Sequence, residues 1–299
     1  MSYPANVKMV EVGPRDGLQN EADIVPTEIK AELIDRLADC GLPVVEAGAF
    51  VSPRWVPQMA DSAEVLAAIR PKEGVNYPVL VPNVKGLERA LEMKVGEIAV
   101  FGAASESFTQ KNINCSIAES LERFAPVMEQ ARGQGLRVRG YVSCVLGCPY
   151  EGDIAVSAVA EVAEALYKGG CYEISLGDTI GVGTAAKARA MVEAVAARIP
   201  VSDLALHFHD TYGQALANIL SCLELGVATV DSSLAGLGGC PYAEGASGNV
   251  ASEDVLYMLE GLGVETGVDL DRLIATAWWI SERLGRKPAS KVALARGAK

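Results

Sequence analysis

Leu204-Ala205-Leu206-His207-Phe208-His209-Asp210 holds both histidines of the chain, two residues apart in an apolar run. Read as a strand, it turns alternate side chains to opposite faces, so Leu204, Leu206 and Phe208 share one face and Ala205, His207 and His209 the other. Two imidazoles then point the same way. A lone histidine in such a run is more often a hydrogen-bonded core residue. A same-face pair also suits a divalent cation, because neutral imidazole is a common metal ligand and this spacing lets two nitrogens converge. The stretch alone leaves the two readings level.

Outward from it, strand-like and helix-like segments alternate in both directions. Strand patterns cover 7–12, 44–47, 77–81, 97–101, 138–143, 172–176 and 228–232, besides the histidine strand itself. Helical patterns follow each: 27–40 with Thr27 as N-cap and Gly41 as stop, then one opening near Asp61 with Glu64 completing a capping box. Further helices cover 85–94, a stretch from Ser116 and Glu119 to Gly133, then 155–168, 184–198, 212–225 and 253–262. Eight βα repeats predict an α/β fold, a closed (β/α)₈ TIM barrel, with 269–284 as an appended C-terminal helix. No low-complexity linker interrupts the chain, so residues 1–299 are expected to form a single catalytic domain.

The composition agrees with that class. Half of the 299 residues are hydrophobic and the net charge is −12 without a basic block, which argues against nucleic acid and anionic membranes as partners. No apolar run reaches spanning length, and the first residues lack a signal-peptide pattern. Seven cysteines in this context read as reduced thiols of a cytoplasmic protein. Cys40 and Cys222 sit in helical patterns as small core hydrophobes. Cys144 and Cys148 have a zinc-compatible spacing but no second pair.

In such barrels the chemistry sits at the carboxyl ends of the strands. Arg15, Asp16, Glu46, Asp178, His207, His209 and Cys240 all fall there. Asp16 can meet His207 and His209 across the mouth, one carboxylate and two imidazoles leaving positions on an ion for substrate, and Asn249 could add an amide oxygen. Oxygen ligands favour Mg²⁺ or Mn²⁺, while the imidazoles keep Zn²⁺ and Fe²⁺ open. Arg15 cannot lose its charge and suits a developing oxyanion; the plainer role is an ion pair with Glu46 or Asp178. Cys240 lies in a loop, 235–249, with five glycines. That loop reads either as a lid carrying a thiol over substrate or as a flexible crossing with an incidental cysteine.

Four motifs together make the pattern specific: Glu11-Val12-Gly13-Pro14-Arg15-Asp16-Gly17-Leu18-Gln19-Asn20, the 50–59 segment Phe-Val-Ser-Pro-Arg-Trp-Val-Pro-Gln-Met, His207-Phe208-His209-Asp210-Thr211-Tyr212-Gly213-Gln214, and Gly236-Leu237-Gly238-Gly239-Cys240-Pro241-Tyr242-Ala243. From about residue 7 to the last helix the chain closely resembles the 3-hydroxy-3-methylglutaryl-CoA lyase family. The Arg-Asp-Gly and His-x-His motifs alone would indicate only the wider group of metal-dependent lyases and condensing synthases, and the cysteine-bearing glycine loop is the discriminator.

The resemblance implies cleavage of that acyl-CoA to acetyl-CoA and acetoacetate, the chemistry of leucine degradation, with Mg²⁺ or Mn²⁺ as cofactor and a homo-oligomer, a dimer first. It implies Asp16, His207, His209 and Asn249 as metal ligands and Cys240, Arg15, Asp16, His207 and Glu46 in catalysis. Arg15, Gln19 and Asp178 would face substrate, with Lys111 and Asn112 as candidates for the CoA phosphates. Ala47-Gly48-Ala49 replaces hydroxyl residues of animal relatives, and no cysteine follows Cys240. The rivals are a lyase for a longer branched acyl group, an isopropylmalate-type synthase, a two-histidine-one-carboxylate iron oxygenase, and a non-catalytic barrel.

Overall fold

The computed structural model describes residues 3–240 and 243–298; for 240 and 243–247 the description is confined to the backbone. Nine strand segments run parallel: β1 Lys8–Glu11, β2 Val44–Val45, β3 Gly48–Ala49, β4 Val79–Leu80, β5 Glu97–Ala103, β6 Arg137–Ser143, β7 Glu173–Asp178, β8 Leu204–Phe208 and β9 Thr229–Ser232. Their order is β2-β1-β9-β8-β7-β6-β5-β4-β3. β2 and β3 are two halves of the second repeat's strand, β2 pairing with β1 and β3 with β4. Between them Glu46 N donates to Glu11 O at 2.8 Å and Ala47 N to Pro78 O at 2.9 Å, so the sheet closes on itself. The result is the (β/α)₈ barrel that the alternation predicts.

The helices around it are α1 Thr27–Asp39, α2 Ser62–Ala68, α3 Val84–Glu92, α4 Glu106–Ile113, α5 Ile117–Gly133, α6 Val156–Gly169, α7 Ala185–Ala196, α8 Ala215–Leu223 and α9 Ser252–Gly261. The C-terminal segment is two helices, α10 Leu270–Arg283 and α11 Lys291–Arg296, where the sequence pattern showed one. A short antiparallel pair, β10 Gly239–Cys240 with β11 Ala243–Ser247, lies in the glycine-rich loop after β9. Among the described residues no helix is long and apolar enough to cross a membrane.

Two expected helix starts differ in detail. Thr27 is the first residue of α1, not its cap, and its hydroxyl donates to Asp61 Oδ2 at 2.7 Å. Lys30 Nζ takes the other oxygen of Asp61 at 2.7 Å, so Asp61 makes no capping bond at the start of α2. Tertiary partners have outbid the local turn for that carboxylate. At α5, where no such competitor stands, the Ser116–Glu119 capping box forms in both directions.

Apolar residues of the strands pack outward against the helices in one large cluster that includes Ile174, Leu176, Leu204, Leu206, Phe208 and Val230. The inward positions are largely polar. Arg139 and Tyr141 on β6, Glu173 and Ser175 on β7, His207 on β8 and Asp231 on β9 follow the two-residue period of a strand. The contacts between them span non-neighbouring strands, as Arg139 to Asp231 at 2.7 Å and Ser175 Oγ to Asp231 at 2.7 Å do, and only the barrel interior allows that. Burying these charges is tolerable because each is paired.

Candidate metal centre and cavity

After β1 the chain makes a π-helical turn, Gly13–Gly17. The Val12 carbonyl accepts from Asp16 N at 2.7 Å and Gly17 N at 3.2 Å, a tight winding that throws Arg15 and Asp16 over the barrel mouth. Gly17 packs against the loop after β9: a Cβ there would stand 2.7 Å from Leu237 Cβ and 2.8 Å from Ser233 Oγ. The turn is thereby fixed to the same loop that leads to Asn249.

Asp16, His207 and His209 each offer a ligand atom, and these atoms lie within 4.8 Å of one another. Asp16 Oδ2 is 3.8 Å from His207 Nε2. The two rings have centroids 5.7 Å apart, and His209 Nδ1 has no hydrogen-bond partner among the described residues. Burial, followed by the neighbouring His207, holds the His209 imidazole down to about 4, so it is neutral at ordinary pH with a lone pair to offer. Burial alone would raise the Asp16 carboxyl, but Arg15 and then the two imidazoles bring it down to about 2. An ionised carboxylate and a neutral imidazole aimed at one point, with an orphaned ring nitrogen, is a donor set that fits a divalent cation.

Asn249 sits against this cluster. It forms a bridge with His209, and its Nδ2 donates to Asp16 Oδ2 at 2.8 Å. Arg15 stands on the other side. Its Nε and Nη2 each lie 2.8 Å from Glu46 Oε2, and its Nη1 lies 2.6 Å from Asp16 Oδ1. The pairing partner is thus Glu46, together with Asp16, and not Asp178. Burial pushes the Glu46 carboxyl up and Arg15 opposes it, while Tyr141 adds a hydroxyl donor at 3.4 Å.

The cluster opens into a cavity of about 1140 Å³ lined by Arg15, Asp16, Gln19, His207 and His209 at one side. Lys85, Lys111 and Arg123, with Asn112 and Asn114, line it as well, and Phe101, Phe108 and Phe124 supply apolar wall. On a chain of net charge −12 these three cations share the lining of one cavity.

Of the candidate residues read from the sequence, Asp16, His207 and His209 are brought together, with Arg15, Glu46 and Asn249 in contact with them or with one another. Gln19, Lys111 and Asn112 line the cavity. Asp178 is placed differently. It is fully buried, its Oδ2 accepts from Gly183 N at 2.8 Å, and its Oδ1 has no partner among the described residues. Burial raises that carboxyl to about 6 against the pull of the 181–183 backbone amides. The Cys240 side chain lies outside the described residues. Asp231, Arg139 and Tyr141 went unnoticed in the sequence, and Glu11 was read only as the start of a motif; the only signal for the first two is a charged residue inside a strand.

Residues 6–280 match the HMGL-like family model. The mitochondrial hydroxymethylglutaryl-CoA lyase of Bos taurus is 62% identical over 294 residues, covering 98% of this chain and 90% of the relative. The 3-hydroxy-3-isohexenylglutaryl-CoA/hydroxy-methylglutaryl-CoA lyase of Pseudomonas aeruginosa is 60% identical over 299 residues and the full length of both. A crystal structure of hydroxymethylglutaryl-CoA lyase from Pseudomonas aeruginosa superposes with a TM-score of 0.97 at 59% identity, covering 99% of each chain.

Proposed function

Because the chain belongs to the HMGL-like family, we propose that it is a carbon–carbon lyase cleaving 3-hydroxy-3-methylglutaryl-CoA to acetyl-CoA and acetoacetate. The observation that carries the reading is the convergence of Asp16, His207 and His209 beside the Arg15 guanidinium at one side of a cavity large enough for an acyl-CoA end. Asp16, His207, His209 and Asn249 would hold Mg²⁺ or Mn²⁺. When bound, the ion would supply a Lewis acid that lowers the pKa of a substrate hydroxyl and orients a carboxylate.

The chain's own groups do the remainder. A proton leaves the C3 hydroxyl for a group at the cluster, where Asp16 Oδ2 and His207 Nε2 face each other. As the C3–O bond becomes a carbonyl, the C2–C3 bond breaks and its electron pair passes to C2, giving the thioester enolate. Arg15, clamped by Glu46 and Asp16, presents permanent positive charge to that enolate without reorganising. Cys240 gives a proton to C2, and acetyl-CoA and acetoacetate result. Gln19 on the cavity wall contacts the acyl end, Asp178 shapes the loop beside it, and Lys85, Lys111 and Arg123 receive the CoA phosphates. A cytosolic setting accords with the six described cysteines, all free and buried.

Purified protein stripped with a chelator should release no acetoacetate from the methylglutaryl thioester and should regain the activity with Mg²⁺ or Mn²⁺. Activity that survives complete metal removal would sink the proposal. The Pseudomonas relative's name also carries an isohexenyl substrate, and the phenylalanine wall of the cavity favours a second reading in which a longer branched acyl chain is accepted. Comparing kcat/KM on the two thioesters decides between them.

A further inference from the structure

His207 carries two ring nitrogens, and only one faces the cation cluster. The other, Nδ1, lies 3.2 Å from Asp231 Oδ2. Strand register puts them together: His207 on β8 and Asp231 on β9 are direct partners, so their side chains emerge side by side on the inner face. Asp231 is in turn gripped by Arg139, whose Nη2 donates to Oδ1 at 2.7 Å and whose Nη1 donates to Oδ2 at 3.0 Å. Such a two-point guanidinium fork fixes both the charge and the orientation of a carboxylate. Ser175 Oγ donates to the same Oδ2 at 2.7 Å. Arg139 is itself anchored by Glu173 at 2.7 Å and donates to the Tyr141 hydroxyl at 3.0 Å.

A carboxylate held ionised by an arginine can only accept hydrogen bonds. Its imidazole neighbour must therefore place its proton on Nδ1, which leaves the lone pair on Nε2, the nitrogen 3.8 Å from Asp16. The ring is also pinned edge-on to Tyr141, centroids 5.9 Å apart at 82°. Tyr141 in turn reaches Glu46, and Glu46 holds Arg15, so Arg139 stands at the junction of the supports behind both arms of the cluster.

We propose that Asp231, locked by Arg139 and Ser175, is a positioning residue for cation binding: it sets the His207 tautomer and ring orientation so that Nε2 faces the ion. This rests on the metal reading of the cluster given above. Carboxylates behind metal-bound histidines serve this purpose elsewhere, and losing one typically costs roughly 10–100-fold in metal affinity.

The chain has only two histidines, so a long-range ¹⁵N–¹H spectrum of the metal-free protein shows just two imidazole patterns. Recorded at alkaline pH, where the rings are neutral, the wild type should show His207 protonated on Nδ1. That measurement needs no variant, and a proton on Nε2 overturns the proposal. Asp231→Asn should then disturb the His207 pattern and weaken Mn²⁺ binding, followed by the EPR signal of free Mn²⁺, by about 10–100-fold. Ser175→Ala, which keeps the carboxylate and removes one of its donors, should give a smaller loss in the same direction. If Asp231→Asn lowers the unfolding midpoint yet leaves both the tautomer and the Mn²⁺ affinity of the folded protein unchanged, the residue is only a structural ion-pair partner. Failure of the wild type to bind Mn²⁺ while the Nδ1 tautomer is present would instead sink the metal reading.

Discussion

Glu11 offers a test of the buried polar framework that does not involve the cation. Its carboxylate ties the start of the π-helical turn to the loop after β9: Oε1 accepts from Gly13 N and Leu234 N, each at 2.8 Å, and Oε2 lies 2.5 Å from Ser252 Oγ. Burial pushes this carboxyl from the ordinary 4.5 to about 7, with the three hydrogen bonds opposing. In the unfolded chain the group ionises near 4.5, whereas in the folded protein it keeps its proton until about 7. Between those values the unfolded state binds fewer protons, so this contribution to stability is present below the lower value and is lost as pH rises through the higher one. The difference, 7 − 4.5 = 2.5 units, corresponds to about 3 kcal/mol at about 1.4 kcal/mol per unit.

Glu11→Gln reproduces the protonated acid: Oε1 keeps both amides, Nε2 faces Ser252, and the Ser252 hydroxyl turns to Ser232 Oγ, 2.8 Å away. In urea titrations of the metal-free protein, the variant should match the wild type near pH 4.5 and exceed it by about 3 kcal/mol at pH 8. A difference that stays flat with pH, or that moves against the variant as pH rises, refutes the reasoning.

Arg15→Met leaves Glu46 buried without its charge partner, so stability should fall by about 3–5 kcal/mol and acetoacetate turnover by roughly 10²–10³-fold; an unchanged thermal midpoint would contradict the burial argument. Cys240→Ser should lower turnover by about 10²–10⁴-fold with Mn²⁺ affinity intact, and parallel loss of the metal would count against a proton-transfer role. Gly17→Ala forces a methyl to within 2.7 Å of Leu237 Cβ. Overpacking of this kind costs about 1–3 kcal/mol, and because Asp16 precedes Gly17 in the same turn, a shift of that turn away from Leu237 should weaken Mn²⁺ binding measured by calorimetry as well.

What was legible in the sequence is what short-range pattern controls. Parallel strands covered on both sides are apolar runs, so β8 with its Leu-Ala-Leu-His-Phe, and the repeat of such runs, announce a barrel without further help. The rule that chemistry sits at strand ends then places the backbone of Asp16, His207 and His209 correctly. It does not place side chains. Asp178 ends β7 as expected, but its carboxylate turns into the 181–183 amides, because a loop rich in backbone donors competes for it with the cavity. α4 escaped notice because it carries a polar sequence with only Phe108 and Thr109 buried, too few for a periodic stripe.

Arg139 and Asp231 were missed for a deeper reason. Each is one charged residue in a strand that faces neighbours far away in the chain, 92 positions apart, and only the closed barrel with its register reveals that they meet. Once the barrel is inferred, the sequence narrows the choice without completing it. Among alternating inward positions, a basic residue on one strand and an acidic residue on another have no solvent to face, so each demands the other. Applied to β6 and β9, that argument pairs Asp231 with a basic residue of β6 but gives Arg137 and Arg139 the same face, and only the structure separates them, with Arg139 fully buried and Arg137 exposed.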